Sequence, residues 1–255
     1  EIMGILKTLG QISEYLANSS IPEALQEQPG LAQAATPSTA AHQIPAASDT
    51  SGQALPDPDI LEIARKVIKV IKAPEISAAP LKIAGNKTVF VTEDNTGLSE
   101  NIAEALVKLG INTAKINLAE LKPNNQVSDA AGLIIVQDPE SRNMEQDLKD
   151  AFALAKHLAP NLLDAASEGD ALFATVSRMD GAFGFRQAEA IHPIQGGLAG
   201  LAKTAAIEWE NVCCHAIDIA ANHSDLSEIA AAVAKEILTP GPVEIGLGSE
   251  YRCTL

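Results

Sequence analysis

The turn best placed for cofactor chemistry lies at residues 92–98, after the first predicted strand of an alternating strand and helix region, and reads Thr-Glu-Asp-Asn-Thr-Gly-Leu. In nucleotide-binding α/β folds, glycines in this turn let backbone N–H groups and a helix N-terminus approach a pyrophosphate. This turn has a single glycine, Gly97, and Glu93 and Asp94 would add two carboxylates. Like charges about 4 Å apart repel by several kcal/mol near a protein surface. The turn therefore predicts capping of the next helix, not dinucleotide binding.

Carbonyl reduction of the short-chain reductase type needs a tyrosine with a lysine four residues later, because the lysine lowers the pKa of the proton-donating phenol. The two tyrosines, Tyr15 and Tyr251, both lack that lysine. Ser177 ends a predicted strand where such an enzyme keeps a substrate-polarising serine, but Arg178 and Met179 follow it without a catalytic partner. We interpret Ser177 as structural.

The other candidate groups also favour structural roles. Gly196, Gly197 and Gly200 form a GGxxG motif, which opens a helix far from the first strand and lacks the Lys-Ser/Thr pair of a phosphate loop. We expect them to allow close helix packing or pairing with another surface. The histidines lack carboxylate or serine companions at useful spacing; they are His42, His157, His192, His215 and His223. An acidic group near a helix end is typical of a solvated face; it comprises Asp164, Glu168 and Asp170. We predict no catalytic, cofactor-binding or metal-binding residue in this chain.

Composition narrows the class of partner. The 255 residues include 33 acidic and 18 basic side chains, for a net charge of −15, and 3% are aromatic. This balance disfavours nucleic acids and anionic membranes. The three cysteines lack metal-ligand spacing and do not suggest a disulfide framework, which indicates a reducing compartment. The sequence also has no signal peptide and no apolar run of about 20 residues, so we expect a cytoplasmic setting. Because the chain starts with Glu1 inside an apparent helical pattern, we expect it to be a piece of a longer polypeptide.

Three zones precede the alternating region. Residues 1–17 have apolar side chains at helical spacing and predict an isolated amphipathic helix. Residues 18–58 are rich in Ala, Pro and Ser and predict a disordered linker. Residues 59–79 predict a short lead-in helix with its apolar stripe continuing to Val67 and Val70, ended by Ala73-Pro74, and then a connection.

Residues 80–255 alternate between short β-branched runs and helical patterns. Six strands are predicted, at 88–92, 113–117, 132–137, 171–177, 214–219 and 243–247. Four helices are predicted between them, at 98–109, 144–163, 195–209 and 224–238. The alternation predicts an α/β fold with a parallel, doubly wound, truncated Rossmann-like sheet.

Several segments in the second half of the chain resemble the ketoreductase region of large type I polyketide synthases, and most closely the branch that includes polyunsaturated fatty acid synthases. They are 171–185 (ALFATVSRMDGAFGF), 196–204 (GGLAGLAKT), Glu208-Trp209 and 214–219 (CHAIDI). In that family a degenerate structural subdomain precedes a catalytic subdomain that carries the glycine-rich turn and the active tyrosine. Residues 80–255 look like the structural half, and 243–255 resemble the segment that leads into the catalytic half. Residues 6–16 are similar to the last helix of the acyl carrier domains that precede this region.

The resemblance implies a chain that is not an enzyme on its own. It implies a subdomain that packs against the catalytic half of an NADPH-dependent β-ketoacyl ketoreductase, with an acyl carrier domain upstream. NADPH and phosphopantetheine are expected in those neighbouring domains and not in this chain. Two alternatives remain: a divergent NAD(P)-binding reductase and a free-standing docking module.

Overall fold

The computed structural model describes residues 67–118, 129–186 and 192–255, and Ile68–Leu255 form one compact unit. The N-terminal helix, the linker and residues 59–66 of the lead-in helix lie outside the described residues. Eight strands are described: β1 (Ile71–Lys72), β2 (Thr88–Thr92), β3 (Thr113–Ile116), β4 (Ala130–Val136), β5 (Ala171–Ser177), β6 (Val212–Ile219), β7 (Glu244–Leu247) and β8 (Arg252–Thr254). The α-helices are α1 (Leu98–Lys108), α2 (Met144–Glu168), α3 (Gly196–Glu208), preceded by a 3-10 turn at Pro193–Gln195, and α4 (Leu226–Ile237).

The strands form a single sheet in the order β1-β8-β7-β6-β5-β4-β2-β3. The six strands from β7 to β3 are all parallel to their neighbours, whereas β8 pairs antiparallel with β7 and with β1. The order of succession of the parallel strands reverses between β2 and β4. From β2 the chain adds β3 on one side, and it then crosses over to add β4 to β7 on the other side. This switch point is where open α/β sheets present a crevice at the carboxyl ends of their strands.

Helices cover both faces of the sheet. On β5, Leu172, Ala174 and Val176 join the core cluster that includes residues of α1 and α4. The alternate residues face the other helix pair: Phe173 packs against Trp209, with ring centroids 5.0 Å apart, and the Thr175 hydroxyl donates to a carbonyl of α3. Strands buried on both faces are predominantly apolar, which explains the uninterrupted apolar run of β4; in β5 the run is interrupted by Thr175 and Ser177, whose hydroxyls are hydrogen-bonded. The predicted doubly wound Rossmann-like fold is confirmed.

The two outermost strands on one side were not predicted. The lead-in stripe that included Val67 and Val70 does not continue as a helix in the described residues, since residues 67–70 are irregular and Ile71–Lys72 pair with β8. β8 follows β7 through a tight turn, where Gly248 N–H bonds to the Tyr251 carbonyl. A strand of two or three residues is too short to show an alternating pattern, so only pairing reveals it.

Helix α2 is longer than predicted. It runs through Pro160 and ends at Glu168, five residues beyond the predicted end at Leu163. Its buried positions, from Ala151 to Ala165, keep helical spacing across the proline. Packing of this stripe on the sheet outweighs the local preference of proline to end a helix. Neither α2 nor any other described helix combines the length and apolarity that a membrane crossing requires.

Candidate functional site

A cleft of about 650 Å³ opens at the switch point, at the carboxyl ends of β2, β3 and β4. Its position is that of a cofactor cleft in this fold class. The charged residues of its lining are mostly acidic: Glu93, Asp94, Glu100, Asp138, Glu140, Asp147 and Asp150, against Lys115 and Arg142. A phosphate-bearing ligand would therefore enter a field of its own sign.

The Asp94 carboxylate occupies the N-terminus of α1. It accepts hydrogen bonds from the N–H groups of Thr96 (3.0 Å), Leu98 (3.3 Å) and Ser99 (2.9 Å), and from the hydroxyls of Thr96 and Ser99. The N-terminal N–H groups of a helix are the donors that an anion would use. Here an internal carboxylate already uses them, as the acidic turn predicted.

The charge of Asp94 is stabilised in the folded chain. Burial raises the pKa of this carboxyl, but hydrogen bonds from Ser99 and Thr96 outweigh burial and hold the pKa below its ordinary value of 3.8. Asp94 therefore stabilises the fold while it is ionised, and this contribution is present above pH 3.8 and is lost as the pH falls below it.

We expect Asp94→Asn to lower the free energy of unfolding by about 1 kcal/mol at pH 7, as for loss of a helix cap. The difference from the unsubstituted chain should shrink as the pH falls below 3.8, because Asp94 of the unfolded chain is then protonated while the folded chain protonates only at its lower pKa. Urea unfolding followed by circular dichroism between pH 7 and pH 3 measures it. Glu104→Gln, an exposed change further along α1, is the matched control and should have no effect. A difference that stays constant with pH would contradict the role of the charge.

The single lysine that lines the cleft is already paired. Lys115 forms an ion pair with Glu100, and the hydrogen bond to Glu100 raises the pKa of Lys115. Across the cleft, the Asn95 side-chain amide donates to Asp138 at 2.5 Å and joins the turns that follow β2 and β4. Lys115, Glu100, Asn95 and Asp138 thus bond to one another within the cleft.

A second polar centre lies at the end of β5. It includes Ser177, which stands where a short-chain reductase keeps a substrate-polarising serine. The Ser177 hydroxyl lies 3.1 Å from the Asp218 carboxylate of β6, and both residues are buried. Asp218 also accepts from the N–H groups of Met179, Ala182 and Phe183 at 2.8 to 2.9 Å. Burial raises the pKa of Asp218, and hydrogen bonds from Met179, Phe183 and Ser177 partly offset that effect. Ser177 therefore belongs to the network that fixes the loop at 178–186.

The same loop is held by a second carboxylate. Asp180 accepts from the N–H groups of Ala182, Gly184 and Arg186 at 2.8 to 2.9 Å. Its carbonyl accepts from the Tyr251 hydroxyl at 2.9 Å, and the Arg186 guanidinium stacks 3.6 Å from the centre of the Tyr251 ring. Tyr251 is thus a packing residue between this loop and the start of β8. Tyr15 lies outside the described residues.

The GGxxG glycines have different surroundings. A Cβ on Gly197 would collide with Leu148 of α2, so this glycine permits close packing of α2 and α3. A Cβ on Gly196 or Gly200 would meet open space. The expected close approach holds for one of the three glycines.

The histidines are dispersed over the fold. The Nδ1 of His192 caps the 3-10 turn before α3, and His157 lies on α2. The Nε2 of His215 lies 3.3 Å from Cys213 within β6, and the Nε2 of His223 lies 3.6 Å from Glu228. His42 lies outside the described residues. Across 67–118, 129–186 and 192–255, no cluster of three or more metal-ligating side chains forms.

The acidic residues at the end of α2 hold a neighbouring segment. Asp170 accepts from the N–H of Lys82 at 2.6 Å, and Glu168 lies 3.6 Å from the Lys87 ammonium. Asp164 is exposed. Sequence reasoning predicted a solvated face here and missed the attachment of residues 82–87.

Sequence reasoning also missed Asp180 and Asp218. The Asp-Gly pair at 180–181 is a turn signal that would have found the first. For Asp218, the signal was a carboxylate inside an apolar strand, because a buried charge requires several partners.

Comparison with known proteins shows the fold class. No protein-family model and no curated protein sequence matches the chain. Among solved structures, the chain is similar to a structure of the adenylation, ketoreductase and pseudo-Asub domains of a keto acid-selecting NRPS module. The TM-score is 0.50 at 15% identity, over 73% of this chain and 18% of that one. The chain thus spans less than a fifth of that module.

Two ketoreductases of polyketide assembly lines are also similar. One is a domain from the bacillaene assembly line, with a TM-score of 0.41 at 12% identity over 73% of this chain and 36% of that one. The other is the first ketoreductase of the tylosin PKS, with a TM-score of 0.40 at 17% identity over 70% and 39%. At these identities the likeness concerns the fold.

Proposed function

We propose that this chain is the structural half of a ketoreductase in a polyketide or polyunsaturated fatty acid synthase, and that it has no catalytic activity of its own. In this proposal it packs against a catalytic half that reduces β-ketoacyl groups with NADPH, in the cytoplasm. An acyl carrier domain lies upstream in the proposed arrangement. The three free thiols support a reducing compartment.

The carboxylate of Asp94 on the N-terminus of α1 carries the proposal. A nucleotide pyrophosphate would have to displace a carboxylate that accepts five hydrogen bonds. It would also lie beside Glu93 and Asp138 in a cleft whose lysine is already paired. The chain keeps the nucleotide-binding fold, but its own Asp94 carboxylate fills the anion site at the N-terminus of α1. This combination favours a scaffold role over nucleotide chemistry.

The loop at 178–186 supports the same conclusion. In a working reductase this region must present a serine and a tyrosine to the substrate. Here Ser177 and the loop backbone bond to Asp218, and Asp180 fixes the rest of the loop. These side chains stabilise the loop, and the hydroxyls of Ser177 and Tyr251 are engaged in hydrogen bonds within the chain.

Helix α3 is the better candidate for contact with the catalytic half. Both α3 and α4 are rich in apolar residues, but the apolar stripe of α4 is buried in the core of this chain. On α3, Ile207 is 85% exposed, the largest exposed fraction among the large apolar side chains of the described residues. Burial of this side chain by a partner would remove its apolar surface from water, which favours association.

NADPH titration of the isolated chain, followed by nucleotide fluorescence, tests the absence of nucleotide binding. We expect no saturable binding up to about 1 mM, equivalent to a binding free energy weaker than about −4 kcal/mol. Micromolar binding would overturn the proposal in favour of a divergent reductase.

Mixing the chain with the catalytic half from its own synthase tests the scaffold role. We expect a complex in size-exclusion chromatography and faster NADPH oxidation on a β-ketoacyl thioester than the catalytic half achieves alone. Ile207→Glu should weaken the complex at least about tenfold, since a buried contact would then contain an unpaired charge. Val107→Glu, an equally drastic change at an exposed apolar residue of α1, is the control. If the catalytic half were fully active alone and formed no complex, a docking module would be the better description.

A further inference from the structure

An apolar groove of about 790 Å³ runs between α1 and α4 and is closed on a third side by residues 80–83. It lies on the opposite face of the sheet from α3. Its apolar lining includes Leu81, Ile83, Ala105, Leu109, Ala234 and Leu238. Leu109 is 61% exposed, so the apolar surface continues out to the rim.

The rim of this groove is basic in a strongly acidic protein. Lys82, Lys108 and Lys235 line the groove and are exposed, whereas Glu104 is its single acidic residue. The three lysines form no ion pair with other described residues. In the whole chain acidic side chains outnumber basic ones, 33 to 18. The local excess of positive charge is therefore a property of this groove.

We infer that the groove binds an amphipathic helix whose polar flanks are acidic. Small side chains on both walls, Ala105 on α1 and Ala231 and Ala234 on α4, allow the backbone of a third helix to approach closely. An apolar helix face fills such a groove with anchors spaced three and four residues apart. Acidic residues beside those anchors would meet Lys82, Lys108 and Lys235, which sets the orientation and excludes basic helices.

The shape of the groove favours a helix over a small amphiphile with an acyl chain. Small-molecule sites bury about 70–90% of their ligand in a concave pocket. This groove is open to solvent and Leu109 on its rim is 61% exposed, which suits a helix that covers the groove from outside better than a chain enclosed within it. The inference does not depend on the scaffold role, because it concerns the other face of the sheet.

Fluorescence anisotropy with two synthetic peptides tests the inference on the full chain. Both peptides are alanine-based helices of about 18 residues with leucine at positions i, i+3, i+4 and i+7; one has glutamate on the polar face and the other has lysine. We expect the acidic peptide to bind with a micromolar Kd and the basic peptide to bind at least about tenfold more weakly. Equal binding of both peptides, or no binding of the acidic one up to about 1 mM, would overturn the inference.

Substitutions locate the binding. The double change Lys108→Glu with Lys235→Glu should weaken binding of the acidic peptide at least about tenfold. Ala231→Glu should block the groove without disturbing the core, because Ala231 is exposed. Lys69→Glu, the same charge change at an exposed lysine outside the groove, should leave binding unchanged. Unchanged binding in both groove variants would refute the site.

Two further outcomes would assign the groove to another occupant and so reject the inference. One is displacement of the peptide by palmitate at equal concentration, which would indicate an acyl ligand. The other is dissociation of a dimer into monomers by Ala231→Glu in sedimentation velocity, which would indicate a second copy of this chain.

Discussion

Asp218→Ala is expected to lower the free energy of unfolding by about 4 kcal/mol. The change leaves the N–H groups of Met179 and Phe183 without their acceptor, whereas Ala182 keeps its bond to Asp180 and the Ser177 hydroxyl keeps the Ile217 carbonyl. Each buried donor left unsatisfied costs about 1–3 kcal/mol, and partial relaxation of the loop keeps the total below the sum. Urea unfolding measures the loss.

A second measurement separates release of the loop from general destabilisation. When the loop at 178–186 detaches, the half-buried Arg178 loses the hydrogen bond that its guanidinium donates to the His223 carbonyl, and it becomes open to trypsin. Limited proteolysis under native conditions should therefore cut Asp218→Ala at this site first. Glu210→Ala, at an exposed acidic residue before β6, should change stability by less than about 0.5 kcal/mol and leave the cleavage pattern unchanged. If Asp218→Ala resisted trypsin as well as the unsubstituted chain does, the role of Asp218 in holding the loop would be contradicted.

Gly246→Ala is the other change with a large expected effect, about 3 kcal/mol of destabilisation. A Cβ at this position of β7 would collide with the carbonyl group of Gly181 and lie 2.7 Å from the sulfur of Cys253. The obstacle on one side is backbone that Asp180 and Asp218 hold in place, so it has little freedom to move. Thermal unfolding followed by circular dichroism measures the effect.

Gly196→Ala is the matched control for that change. Gly196 begins α3 with ordinary helical angles, and a Cβ there would meet open space. Alanine is the better helix former by about 1 kcal/mol or less. The control should be neutral or slightly stabilising. If Gly246→Ala unfolded at the same temperature as Gly196→Ala, β7 would be shown to tolerate a side chain at this position.

The parallel centre of the sheet was readable from the sequence because burial on both faces imposes a composition. β2 and β5 have the predicted bounds, and the other four predicted strands differ by one or two residues at one or both ends. Helix α1 was equally clear, since Gly97 precedes it and Gly110 follows it. In these elements local pattern and final packing agree.

The acidic turn was also predicted from the sequence, for a chemical reason. Glu93 and Asp94 stand at the position where the fold class offers its helix N-terminus to an anion, so their charge alone argued against phosphate. The structure adds the particular donors, Thr96, Leu98 and Ser99. Which of the two carboxylates caps the helix depends on backbone angles that the sequence does not state.

Contacts between distant residues were beyond sequence reasoning. Asp218 is 35 to 39 residues from the loop amides it binds, and Ile71 pairs with Thr254 at the opposite end of the unit. Neither contact leaves a periodic trace, because each involves one or two residues. The groove between α1 and α4 was missed for the same reason, since its walls are over 100 residues apart.

The edge formed by β1 and β8 sets how the compact unit responds to force. The two strands are antiparallel, with Ile71 opposite Thr254 and Lys72 opposite Cys253. The segment that enters β1 and the segment that leaves β8 therefore lie at the same end of the ladder. Tension between these segments would open the pairs one after another, as in unzipping, instead of loading them together in shear. Under stretching, this edge should yield at low force and leave the parallel centre of the sheet folded.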